Sequence, residues 1–252
     1  MPRPLKPHTA PIKSAMRTLA LLEHFRRTKA SASAAELASA LSMPQSSTSV
    51  LLKTLISLNY LEYDSETRRF LPSYRVALLG DWIQNARFGD TRITRVMDML
   101  QARTGEAIML GQQVGAAMQY LHVLPGMHAI QFMVNAGEIR PMSRTALGQV
   151  LLSCKSNNQI RAIVRRNNAE APKVSPNFRE TAFMQEVEAI RQRGYSETKG
   201  LTTPGVSTIG MLVPPLGKHS LLAIGVGGPI ERIDPKRLQI IDAMRRWLGN
   251  IS

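Results

Sequence analysis

The stretch from Ser42 to Leu61, SMPQSSTSVLLKTLISLNYL, sets four hydroxyl residues in a row, Ser46, Ser47, Thr48 and Ser49, ahead of an apolar run. Hydroxyls at the start of a helix have two uses. They cap the helix's own free N–H groups, or they bond phosphate oxygens and base edges when the first turns of that helix enter a DNA major groove. Gln45, one residue earlier, carries the amide that pairs with adenine. Leu51, Leu52, Leu55, Ile56 and Leu58 supply the buried side of the same helix, which leaves the hydroxylated end for a ligand. Arg68 and Arg69, just past the tip of a following hairpin, are placed to meet backbone or minor groove. With Lys53, the candidate nucleic-acid contacts are Gln45, Ser46, Ser47, Thr48, Ser49, Lys53, Arg68 and Arg69.

Catalytic patterns are missing from the chain. There is no G-x-S-x-G elbow, no G-x-x-x-x-G-K-[ST] phosphate loop and no G-x-G-x-x-G after a strand. The run GVGG at Gly225 to Gly228 opens no long helix at once and is a poor dinucleotide motif. Cys154, the one cysteine, lies in ALGQVLLSCK without a paired histidine and reads as a buried, inert thiol. It cannot form an internal disulfide, and the five histidines show no metal-ligand spacing. No catalytic residue, metal or cofactor is expected.

The hydroxylated helix needs a frame. SAMRTLALLEHFRR repeats Met16, Leu19, Leu22 and Phe25 at helical spacing. In SASAAELASALSMP, Ser33 and Glu36 fit a capping box, Leu37 and Leu41 supply an apolar face, and Ser42-Met43-Pro44 stops the helix. Pro44 suits the first turn of a third helix running to about Leu58. NYLEYDSETRRFLPS then alternates and turns at Asp64-Ser65-Glu66-Thr67. Three helices and a basic hairpin predict a winged helix-turn-helix over residues 14–75, behind a basic flexible tail, 1–13.

A turn-free apolar helix over residues 76–90 follows, whose Val76, Leu79, Trp82 and Ile83 are placed to pack on a partner subunit or on their own wing domain. Residues 91–252 mix both patterns. AIMLGQQV, MQYLHVL, AIQFMVN, VSTIGMLVP and SLLAIGVGG read as strands, and RTALGQVLLS, NQIRAIVRR and FMQEVEAIRQRG as helices. A closing helix is predicted from about Asp234 to Leu248 with its proline in the first turn. The fold class is α+β.

A chain of 252 residues is comfortable for two domains, and 44% hydrophobic with 20% charged residues describes a soluble globular protein. Apolar runs fall far short of the ~20 residues of a membrane span. The N-terminus lacks the apolar core of a secretory signal, so a cytoplasmic location is expected, with no membrane partner. The net charge of +14 favours polyanions, and residues 1–75 carry 11 Lys+Arg against 5 Asp+Glu. A membrane-surface role would need a strongly basic amphipathic helix, which is not found.

The segment from SAMRTLALLEHF through ELASALSMPQSSTSVLLKTLISLNYLEYDSETRRFLPS resembles the N-terminal domain of IclR-type bacterial transcription regulators. GEIRPMSRTALGQVLLS, IRQRGYSE, GVSTIGMLVPP and IGVGGPIERI resemble, in order, that family's effector-binding domain, so the likeness runs from Ser14 to Ser252. It implies a GAF-like α/β effector domain and a dimer or dimer of dimers that binds double-stranded operator DNA. It also implies a response to a small organic acid. Free N–H groups where SRTALGQ opens its helix form an anion site, and Ala146, Leu147 and Gly148 match the positions that hold an effector carboxylate in the family. Thr198, Thr208, Gly225 and Gly227 match further ligand positions, where family members that bind small acids carry an acidic residue, a cysteine and two serines. Replacing the serines removes donors and opens volume, which predicts a bulkier, aromatic acid. Val50 also departs from the arginine often found in the recognition helix. The competing class is a small-molecule-binding or hydrolytic GAF-like enzyme without a regulatory role, distinguished by turnover of the acid.

Overall fold

Ser33 opens the second helix through a complete capping box. Its hydroxyl accepts the Glu36 N–H at 3.3 Å, and the Glu36 carboxylate accepts the Ser33 N–H at 2.7 Å. Two donors left over at a helix start are thereby satisfied, which fixes where the helix begins. The computed structural model describes residues 12–80, 91–171, 178–215 and 221–251. Trp82, Ile83 and most of the basic tail lie outside the described residues. The chain divides into two units, Met1–Gly89 and Asp90–Ser252.

The first unit contains α1 (Lys13–Thr28), α2 (Ala34–Ala40), α3 (Gln45–Ser57), β1 (Leu61–Asp64), β2 (Arg69–Pro72) and a helical segment, α4, over residues 74–80. Leu21, Phe25, Leu37, Leu52, Leu55 and Leu61 form its core. The turn between α2 and α3 is tight: Ser42 has a φ of 50° and Met43 N–H donates to Ala38 O at 2.9 Å. Ala32 forms an isolated antiparallel bridge to Phe70 of the hairpin. This is the winged helix-turn-helix that the sequence predicts.

Two faces differ from expectation. In α1 the core takes Leu21 and Phe25, while Met16 and Leu19 stand 54% and 64% exposed. The helix carries apolar residues on two sides, and periodicity alone cannot say which side meets α3. In α3, Leu58 is exposed at its C-cap and only Leu52 and Leu55 join Thr48 as fully buried residues.

The second unit contains α5 (Thr91–Thr104), β3 (Ala107–Val114), β4 (Ala117–Leu124), β5 (Ile139–Pro141), a 3-10 turn (Met142–Arg144), α6 (Ala146–Ser153), α7 (Asn157–Ala169), α8 (Glu180–Arg193), β6 (Tyr195–Lys199), β7 (Val206–Leu212), β8 (Leu222–Pro229) and α9 (Ile230–Gly249). Its antiparallel sheet has the order β5-β4-β3-β8-β7-β6. Helices α5 and α9 pack on one side, while α6 packs on the sheet and on α8. Residues 129–135 form no strand. The edge beside β4 is occupied by β5, so AIQFMVN finds no ladder to join. Helix α9 starts at Ile230, four residues before Asp234, because Pro229 serves as its N-cap and Pro235 lies inside the helix. Among the described residues no helix is long and apolar enough to cross a membrane.

Candidate nucleic-acid interface and effector site

Helix α3 has no side-chain cap: its N-cap is Pro44. The hydroxyls therefore do not serve the helix start. Thr48 and Ser49 donate back to Pro44 O at 3.1 Å and Gln45 O at 2.9 Å. The hydroxyls of Ser46 and Ser47 make no intrachain hydrogen bond among the described residues. Gln45, Ser46 and Lys53 are exposed, and Ser47 and Ser49 half-buried. Thr48 is wholly buried and leaves the set of candidate contacts. Spacing explains this: Thr48, Leu52 and Leu55 share one face of the helix, and that face is the core face.

Arg68 sits exposed at the hairpin tip with a φ of 54°. Arg69 is not a free wing cation. Its guanidinium donates to Ser31 Oγ at 3.0 Å, Ser31 O at 2.7 Å and Glu36 Oε2 at 2.9 Å, tying β2 to the start of α2. The Ser33 backbone N–H, aided by the Ser33 hydroxyl and by Arg69, holds the Glu36 carboxyl below its ordinary range. At the tip, the Thr67 hydroxyl and the Glu66 and Thr67 N–H groups lower Asp64 in the same way.

The start of α6 lies on the backbone of β7. A Cβ on Gly210 would stand 2.9 Å from the Ala146 carbonyl carbon and 3.1 Å from Leu147 N. Thr145 caps this helix, its hydroxyl accepting the Gly148 N–H at 3.0 Å. Gly148 is thus engaged, and the N–H groups of Ala146 and Leu147 are the ones without a helical acceptor. Thr198 and Thr208 are buried and directly paired across β6 and β7, with Gly227 opposite Thr208 on β8.

The two glycines of β8 do not open space. Over Gly225 lies the Leu147 side chain, so close that a Cβ there would collide with Leu147 Cδ1. A Cβ on Gly227 would meet Met109 Cε at 2.8 Å and Thr208 Oγ1 at 3.0 Å. The expected extra volume is filled by neighbours on β3 and α6, which a linear motif does not reveal. Met109, Phe132, Val134 and Tyr120, none of them singled out from the sequence, belong to or pack against this apolar layer. Burial pushes the Tyr120 hydroxyl up to about 12. Ile130 and Met133 are exposed while Phe132 and Val134 turn inward, so strict alternation along AIQFMVN, which groups Ile130 with Phe132 and Val134, does not single out Phe132.

The loop carrying Phe132 is held from behind. Glu106, 1% exposed in its side chain, accepts from Arg232 Nε at 2.5 Å and Nη2 at 2.9 Å, and Arg232 Nη2 also donates to Ile130 O at 3.0 Å. His128 Nε2 lies 3.6 Å from Glu106 Oε1. Cys154 is exposed at the C-cap of α6 rather than buried. Among the described residues no group of three or more His, Cys, Asp or Glu could hold a metal ion.

Residues 90–252 match the family model "Bacterial transcriptional regulator IclR C-terminal", and residues 14–65 match the "IclR helix-turn-helix domain". The HTH-type transcriptional regulator KdgR of Dickeya chrysanthemi is 24% identical over 195 residues, 76% of this chain and 62% of the length of that relative. The crystal structure of an IclR transcriptional regulator from Alicyclobacillus acidocaldarius aligns with a TM-score of 0.77 at 18% identity, covering 96% of this chain and 98% of the other. An IclR homolog from Microbacterium hydrocarbonoxydans, solved in complex with 4-hydroxybenzoate, also aligns at 0.77, with 15% identity over 95% of this chain and 97% of the other.

Proposed function

The chain belongs to the IclR family of bacterial transcriptional regulators, and on that premise we propose that it binds duplex operator DNA through α3 and the β1–β2 hairpin, under control of a small organic acid. The observation that carries the first half is the pair of unengaged hydroxyls, Ser46 and Ser47, on an uncapped helix held from behind by Leu52 and Leu55. Gln45, Ser49, Lys53 and Arg68 complete the contact set. Residues 14–75, 76–90 and 91–252 act as DNA-binding domain, linker and effector domain. The reading carries with it a cytoplasmic homodimer or dimer of dimers without enzymatic turnover.

The acid is placed at the first turn of α6, its carboxylate on the N–H groups of Ala146 and Leu147 and its body toward Thr198, Thr208, Met109 and Phe132. An aromatic acid is supported by the 4-hydroxybenzoate bound to the Microbacterium homolog. Room for the ring comes from movement of Met109 and Leu147 rather than from the glycines of β8. Methionine, unbranched and flexible, yields readily.

The test uses the full chain and the duplex it enriches from a random-sequence library. Ser46→Ala with Ser47→Ala weakens that complex without lowering the melting temperature, since alanine suits a helix at least as well as serine. Unchanged affinity in the folded double variant sinks the assignment of α3. In calorimetry, 4-hydroxybenzoate binds roughly ten- to a hundredfold more tightly than its methyl ester, the worth of a charge-assisted hydrogen bond. Equal binding of acid and ester would move the site elsewhere, and hydrolysis of the ester would favour the enzyme reading.

A further inference from the structure

Helices α1 and α3 enclose an open groove of about 660 Å³ within the N-terminal unit. One wall is the start of α1, with Lys13, Arg17 and Thr18, and the other is the outer face of α3, with Ser46, Ser47 and Val50. Among the described residues no carboxylate lines it. The acids Glu23 and Glu36 are already paired with Arg26 and Arg69, whereas Lys13 and Arg17 make no ion pair among the described residues. Val50 follows Ser46 by one turn on the same stripe and is 66% exposed.

Met43, Val50 and Leu51 add apolar surface between the two walls, while Lys13 and Arg17 facing Ser46 and Ser47 match a polyanionic strand and set like charges against a second copy of the same face. Val50 adds what charge does not explain: a branched aliphatic group standing in water beside Ser46, Ser47 and Thr54, with Leu51 behind it. The thymine 5-methyl is the apolar feature that bases present in the major groove. We infer that this groove seats one operator strand, with Lys13 and Arg17 on its phosphates and Val50 packed on a thymine methyl. The inference rests on the DNA-binding reading of α3.

The test again uses the full chain and its enriched duplex, beside a copy in which every thymine is replaced by deoxyuridine, which keeps the hydrogen bonds and removes the methyls. Wild type binds the thymine duplex about fourfold more tightly, the value of burying one methyl group. Val50→Ala binds the two duplexes alike. Lys13→Ala and Arg17→Ala each flatten the dependence of log affinity on log salt by about 0.9. A wild type indifferent to the methyls, or a Val50→Ala variant that keeps the preference, overturns the inference. So do unchanged salt slopes, and if sedimentation then shows altered assembly in the Lys13 and Arg17 variants, the groove is a subunit contact. The Ser46/Ser47 double variant separates the failures. If it weakens binding and these do not respond, the groove alone is misassigned, and if it too has no effect, the reading of α3 falls with it.

Discussion

Thr48 and Arg69 have the side chains that a DNA-binding surface uses, yet both are engaged inside the N-terminal unit. Thr48 is fully buried with its hydroxyl on Pro44 O, so Thr48→Val, which keeps the shape, leaves operator affinity unchanged at a stability cost of about 1 kcal/mol. Arg69 binds Ser31 and Glu36. Arg69→Ala therefore lowers the melting temperature, by about 1–2 kcal/mol of stability, without changing the salt slope that a phosphate contact controls. A reduced slope in that variant would restore Arg69 to the interface. Gly225 makes a complementary case, because its missing side chain is what lets Leu147 lie against β8. Gly225→Ser costs about 1–3 kcal/mol by overpacking, read as a lower denaturant midpoint, and Leu147→Ala in the same chain recovers part of it. Additive losses would show that the two positions do not share that space.

At the scale of elements, two devices hold segments that lack regular hydrogen bonding. The loop between β4 and β5 is held by Glu106 through Arg232, which also binds Ile130 O. Glu106→Gln leaves Arg232 without its charge partner and costs about 3 kcal/mol. Amide exchange should accelerate across residues 126–138 ahead of the rest of the sheet, and uniform acceleration would argue against a local clasp. The hairpin tip is held by Asp64, whose carboxyl is lowered first by the Thr67 hydroxyl and then by the Glu66 and Thr67 N–H groups. A carboxyl lowered in the folded state contributes fully above the ordinary carboxylate range and loses that contribution as pH falls through its depressed value. Both Asp64 and Glu36 lie at the surface, so the acid transition is local to the wing and the start of α2. Carbon-detected titration of the Asp64 carboxyl follows it, and Asp64→Asn abolishes the hairpin's response.

The whole molecule is two units, each with its own apolar core, and a net charge of +14. Charge of that size speeds and strengthens association with DNA without selecting a sequence. On the proposed function, selection falls to α3, and the proposed dimer would present two copies of it. Footprints on the enriched duplex should show two half-sites about one helical turn, ~34 Å, apart or at a multiple of it. A lone half-site protected at saturating protein would rule out paired reading.

What the sequence by itself determined is what acts within a few residues of itself. Ser33 and Glu36 start α2, Pro44 precedes α3, and glycine-bounded apolar runs mark β3 and β7. Such signals are local because a cap, a turn or a helical period is completed by neighbours in the chain. The tertiary structure decided the rest. Met16 and Leu19 face outward because α1 offers two apolar sides and only packing chooses between them. Residues 129–135 stay unpaired because β5 occupies the edge. Arg69 is drawn from the wing by Ser31, 38 positions earlier, and Glu106 meets Arg232 across 126. The space above Gly225 and Gly227 belongs to Leu147 and Met109, side chains that reach it from other elements. Whether a polar group is a ligand or a strut, and whether a glycine is a gap or a contact, depends on which distant atoms arrive beside it. Chain spacing does not encode that arrival.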